Sequence, residues 1–77
     1  MPRYFFDYRD ATGVIRDDVG EDLPGVDVAR ELALVALGDA ARDFTRQGRE
    51  DRLTIEIRDG EHVVAGATVT VATSWWS

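Results

Sequence analysis

The chain has no cysteine, no lysine and no asparagine, and only one histidine, one methionine and two prolines in 77 residues. Without cysteine there is no disulfide and no thiolate-ligated zinc site. Without lysine there is no Schiff-base nucleophile and no phosphate-loop lysine. All nine basic residues are arginine, against fifteen acids, so the formal net charge is -6. Residues 1–24, 25–48 and 49–77 are each net acidic. A uniformly acidic domain repels the phosphate backbone whose neutralisation dominates nucleic-acid affinity, and it repels anionic membrane surfaces in the same way. Neither a nucleic-acid nor a membrane partner is expected. Long apolar runs are missing too. The longest uncharged segment, Val63–Ser77, is rich in Thr, Ala and Gly and is too short and too polar to span a bilayer. Met1-Pro2-Arg3-Tyr4 leads straight into patterned sequence, with no basic-then-apolar signal segment. These features predict one cytoplasmic domain over residues 1–77. A chain of this size buries only about 60% of its unfolded surface, so without disulfide or metal the available stabilisers are tight packing and self-association.

The apolar pattern is β-β-α-β-β. Arg3–Arg9 alternates, with Tyr4, Phe6 and Tyr8 on one face and Phe5, Asp7 and Arg9 on the other. Asp10-Ala11-Thr12-Gly13 is a turn, and Val14–Asp17 returns as a short strand. Asp18–Gly25, with two glycines, a proline and three acids, reads as a loop. Val26–Gln47 is the one long helix, stopped by Gly48. Its stripe is Val26, Ala29, Leu32, Ala33, Ala36, Leu37, Ala40, Ala41 and Phe44, and the alanines permit close approach to a sheet. Leu34 and Val35 fall outside the stripe, with Val28 near Val35.

After the charged linker Arg49–Arg52, Leu53–Arg58 alternates cleanly and Asp59-Gly60 signals a hairpin into Val63–Ala72. A two-residue turn would put Val64 and Gly66, rather than Val63 and Ala65, on the face of Ile55 and Ile57. Either a bulge at Gly66 or a longer tip through Glu61 and His62 restores the match. The fold class is therefore α+β, one amphipathic helix on a four-stranded antiparallel sheet in the order 2-1-3-4. Phe6, Tyr8, Leu32, Ala36, Phe44, Ile55, Ile57 and Val69 are the expected core. The opposite sheet face carries Phe5, Asp7, Arg9, Thr54, Glu56 and Arg58, a set suited to water or a partner.

No motif in the chain carries chemistry. His62 lies at a hairpin tip, where a dry pocket is rare. The hydroxyl nucleophiles are Ser74, Ser77, threonines and tyrosines, none in a Gly-x-Ser-x-Gly setting. The acids Asp17, Asp18, Glu21, Asp22 and Asp27 lack the alternating calcium-loop spacing and read as a solvated loop before a helix N-terminus. No catalytic residue, metal ligand or cofactor is expected. What remains is apolar surface. Trp75 and Trp76 stand just before the final residue, Ser77, and two adjacent indoles at a free end either fold back on the sheet edge or meet another chain. Phe5, Leu34, Val35, Trp75 and Trp76 are the candidate interaction residues.

The opening Met1-Pro2-Arg3-Tyr4-Phe5-Phe6, the loop Asp17-Asp18-Val19-Gly20-Glu21-Asp22-Leu23-Pro24, the Ala-rich stretch Ala29–Ala41 and the strand end Ile55-Glu56-Ile57-Arg58-Asp59 resemble a family of short alphaproteobacterial proteins of unknown function. The chain departs from that pattern at Gly25, where an acid is usual, and this weakens the helix cap. The resemblance implies a family and a bacterial origin, with no activity to carry over. Leu23-Pro24-Gly25 before an Ala-rich helix also resembles the HicB-like antitoxins. The residues thus leave two readings. One is a small acidic, non-catalytic interaction protein that forms a homodimer. The other is an antitoxin-like or regulatory protein that masks a basic surface on a protein partner.

Overall fold

Alternating aromatics make Arg3–Asp10 (β1) a strand in the computed structural model, which describes residues 1–76. The Asp10 carboxylate closes the following turn by accepting from the Thr12 amide at 2.8 Å and the Thr12 hydroxyl at 2.6 Å. Gly13–Ile15 (β2) then returns antiparallel to β1, a shorter strand than the expected Val14–Asp17. Residues Glu21–Asp22 (β3), expected as loop, add a second antiparallel segment to the same edge of β1, with Arg3 opposite Asp22. Asp51–Arg58 (β4) pairs with the other edge of β1, and Val63–Val71 (β5) pairs with β4. The order β2-β1-β4-β5 is the expected one, with β3 as an addition beside β1.

Helix α1 spans Val26–Arg46, and Gln47 is its C-cap. Gly48, at φ 62°, ends it: its amide donates to Thr45 O at 3.2 Å, and the Arg49 amide donates to Phe44 O at 2.8 Å. The Arg49 guanidinium also lies over the Phe44 ring, 4.8 Å from its centroid. At the other end Gly25 gives no side-chain cap, and only Asp27 in the first turn favours the dipole. No helix among the described residues is long and apolar enough to cross a membrane.

The core joins Ala29, Ala33, Leu37 and Phe44 of α1 to Tyr4, Leu53, Ile55 and Ile57 of the sheet, closed by Leu23. Of the eight expected members, Phe44, Ile55 and Ile57 are in it, Phe6, Ala36 and Val69 pack against it half-buried, and Tyr8 and Leu32 are 37% and 40% exposed. The reason is lateral position. Ala65 and Ala67 of β5 are small and α1 meets them with its own alanines, so the helix settles over β4 and β5 and barely touches β1. The half of the sheet carrying the bulky Phe6 and Tyr8 stays open. The second hairpin resolves its register conflict at Val64, not at Gly66. Ile57 faces Ala65 while Arg58 faces Val63, so Val64 is the extra residue. The tip also runs through Glu61 and His62, with the Asp59 amide donating to His62 O at 3.0 Å.

Candidate interaction site

The outer sheet face is not the open polar surface that alternation suggested. Register sets Phe5 opposite Arg58 and Asp7 opposite Glu56, so two acids meet across the strands. Each is drawn diagonally to an arginine. Arg9 Nε donates to Glu56 Oε1 at 2.6 Å in the open. Arg58 Nε and Nη2 donate to Asp7 Oδ2 and Oδ1 at 2.7 and 3.2 Å, a bidentate pair. That second pair is buried, Asp7 being 8% and Arg58 6% exposed.

What covers it is an insertion in the edge strand. Tyr8 pairs with Ile15 and Tyr4 with Glu21, so the five residues Arg16–Gly20 stand opposite the three residues Phe5–Asp7. The two extra residues swing the chain over the outer face. Asp17 pins the excursion. Its amide donates to Asp7 Oδ1 at 2.9 Å, and its carboxylate accepts from the amides of Phe6, Val19 and Gly20 at 3.1, 3.0 and 3.1 Å. Arg58 Nη2 also donates to the Asp17 carbonyl, and Nη1 donates to Gly60 O at 2.6 Å. Every nitrogen of the guanidinium is engaged, and among the described residues no buried side-chain polar atom lacks a partner. Gly20, at φ 75°, lies against Phe5; a Cβ there would stand 2.8 Å from the ring, so the crossing requires glycine. Arg3 completes the clamp by donating to Asp22 at 3.0 Å and to Val19 O at 2.9 Å.

This arrangement depresses two carboxyls. Arg58, donating to the charged form, holds the Asp7 carboxyl below its ordinary value of 3.8 despite burial. Burial pushes the Asp17 carboxyl up, but the Phe6, Gly20 and Val19 amides, with Arg58 nearby, outweigh it and leave it below 3.8. A depressed folded value gives stability that is complete above the unfolded value and is lost as pH falls through the folded one. Urea midpoints should therefore hold from neutral pH to about pH 5 and fall steeply below about pH 4. A midpoint that stays level into that acid range would contradict the network.

The sequence-derived interaction residues are scattered. Phe5 is half-buried, its ring taken up by Gly20 and by the Arg58 guanidinium 4.6 Å from the centroid. Leu34 and Val35 are exposed on α1, Val35 on the flank shared with Leu32 and Leu34 away from it. Trp75 and Trp76 do not fold back on the sheet edge; they are 95% and 88% exposed. The segment leading to them is tied down at Thr73, whose amide and hydroxyl donate to Glu50 Oε1 at 2.7 and 3.0 Å. Ser77 lies outside the described residues. His62 is exposed at the hairpin tip. The acids expected to form one solvated loop are divided, with Asp17 turned inward and Asp22 paired to Arg3. Among the described residues no group of three or more His, Asp or Glu is placed to hold a metal ion.

Two surfaces were not singled out from the sequence. One is the trough that the offset helix leaves open, floored by Phe6, Tyr8 and Ile15 and walled by Leu32 and Ala36. The other is the outer edge of β5, to which no strand pairs among the described residues. The sheet's two edges contrast sharply. The β2–β3 edge is short, interrupted, and carries Arg16, Asp17, Asp18, Glu21 and Asp22. The β5 edge runs over nine residues, Val63–Val71, with one bulge at Val64 near its start, no charge and no proline.

No curated protein and no solved structure matches the chain. A family model described as a domain of unknown function, DUF6894, matches residues 3–72. That span takes in every strand and the helix, with Trp75 and Trp76 beyond it. By this match over nearly its whole length, the chain belongs to the DUF6894 family.

Proposed function

We propose that this domain is a non-catalytic, self-associating interaction module, joined to a second copy along the outer edge of β5. The observation that carries the reading is the contrast between the two sheet edges. An unpaired edge strand is a template for another chain, and monomeric proteins blunt such edges with charges, prolines or bulges. The β2–β3 edge has those devices and the β5 edge beyond Val64 has none. Pairing two β5 strands about a two-fold axis is isologous and closes the assembly at a dimer. It also joins the chains along Val63–Val71, a segment without charge in a chain of net charge -6, so like charges do not meet at the junction. The exposed indoles just past β5 add apolar area that association can cover.

Thr68→Lys tests this. Thr68 is exposed near the middle of β5 and bonds only the Thr54 hydroxyl, at 2.8 Å. A two-fold junction sets the introduced lysines near each other. The association constant should fall about tenfold or more, equal to 1.4 kcal/mol or more, with the thermal midpoint of the monomer little changed. An unchanged association constant would place the junction elsewhere.

The acidic rim of the open trough supports a second reading, an antitoxin-like or regulatory protein that covers a basic surface on another protein. Asp10, Asp18, Glu21 and Asp43 border the trough against Arg16 and Arg49.

A further inference from the structure

Four strands side by side span about 19 Å at about 4.8 Å each, whereas a helix with its side chains is about 10–12 Å across. A single helix can shield only about half of such a sheet, and α1 has settled on the β4–β5 half. The inner face over β1 and β2 is left as a trough beside α1. Tyr8 and Ile15, paired across β1 and β2, line both its halves where they meet, and its helical wall runs from Leu32 through Ala36 and Ala40 to Gln47. That wall is about 22 Å long at 1.5 Å per residue, the length of a helix of about four turns. Length and uncovered sheet width thus suit a second helix lying alongside α1.

The rim decides which helix. Its acids outnumber its arginines, so a second copy of this chain would bring one acidic rim against another. We infer that the trough between α1 and the β1–β2 hairpin is a docking site for an amphipathic helix of a partner protein, apolar on one stripe and basic on its flanks. This rests on the second reading above and is independent of the β5 junction. The apolar stripe lies on Phe6, Tyr8, Ile15 and Leu32, and the flanking cations face Asp18, Glu21 and Asp43. This is recognition by helix-in-groove packing, with charge setting orientation and partner choice. It also accounts for the partial exposure of Tyr8 and Leu32, apolar side chains held ready at the wall and floor.

The test uses two synthetic helical peptides of about 15 residues with leucines at i, i+3, i+4 and i+7, one flanked by arginines and one by glutamates. Amide chemical shifts of the full chain are followed during titration. The arginine peptide should shift Tyr8, Ile15, Leu32 and Ala36 and bind at least about tenfold more tightly than the glutamate peptide. Ile15→Arg, at an exposed position, should keep the fold and weaken that binding about tenfold or more, while Thr68→Lys should leave it unchanged. Failure of the β5 junction would appear in sedimentation of the free chain and leave these titrations as they are. Equal binding of both peptides, shifts confined to β5 or Trp75–Trp76, no binding by either, or an Ile15→Arg variant that binds normally would each overturn the inference.

Discussion

Replacing Asp7 with alanine should remove about 3 kcal/mol of stability, near the low end of the 3–5 kcal/mol seen when one partner of a buried ion pair is deleted. The low end applies because Arg58 keeps the carbonyls of Asp17 and Gly60 as acceptors. For a domain of this size 1 kcal/mol moves the thermal midpoint by about 4–8 °C, so the expected drop is about 12–24 °C. The loss has two sources: an arginine left buried without its counter-charge, and an excursion at Arg16–Gly20 that loses the carboxylate accepting from the Asp17 amide. Replacing both partners, Asp7→Leu with Arg58→Met, should recover only the part of the loss that comes from the unpaired arginine, because apolar groups can stand in for the buried pair but not for the acceptor of the Asp17 amide or the donors to the Asp17 and Gly60 carbonyls. A single variant within about 0.5 kcal/mol of wild type would show that the pair is solvated and the loop does not cover it.

Phe44→Ala should cost about 3–5 kcal/mol, read from urea midpoints. Phe44 is the largest side chain that α1 buries, and it reaches the core beside Leu53 at the end where the helix is tied to Gly48 and Arg49. The cost combines the transfer of a large apolar ring out of the core with the space it leaves beside Leu53. The Arg49 guanidinium over the ring loses its partner as well. A cost below about 1 kcal/mol would mean that α1 sits in a different rotation on the sheet.

These two residues differ in how far the sequence announced them. Phe44 follows from helical periodicity, and so do Ala29, Ala33 and Leu37. The same wheel also admitted Leu32, because periodicity fixes the direction of a stripe and not the lateral position of the helix. That position depends on Ala65 and Ala67 being small where Phe6 and Tyr8 are large, a comparison across strands that no single segment contains. The strand order was legible because short connections leave few alternatives for two hairpins flanking one helix. Asp7 and Arg58 are legible as residues of the outer face, suited to water or a partner, but not as a pair buried by the chain itself. Their burial depends on two surplus residues in Arg16–Gly20, which become visible only once β2 and β3 are both paired to β1. Asp17 and Gly20 were the available signals: an acid that can accept three amides, and a glycine where a loop crosses an aromatic ring. The register conflict in the second hairpin was evident in sequence, but its seat at Val64 was not, since several positions near the tip could take the extra residue.

The β5 edge escaped notice for a related reason. A run of Val, Ala, Gly and Thr reads equally well as a central or an edge strand, and only the strand order leaves one side of it without a neighbour. Sedimentation equilibrium of the wild-type chain at about 100 μM and physiological salt tests self-association most directly, since even a weak interface is populated at that concentration. The expected result is a dimer, stronger in high salt because screening reduces repulsion between chains of net charge -6, and weakened by deleting Trp75–Ser77. A pure monomer under these conditions would contradict it.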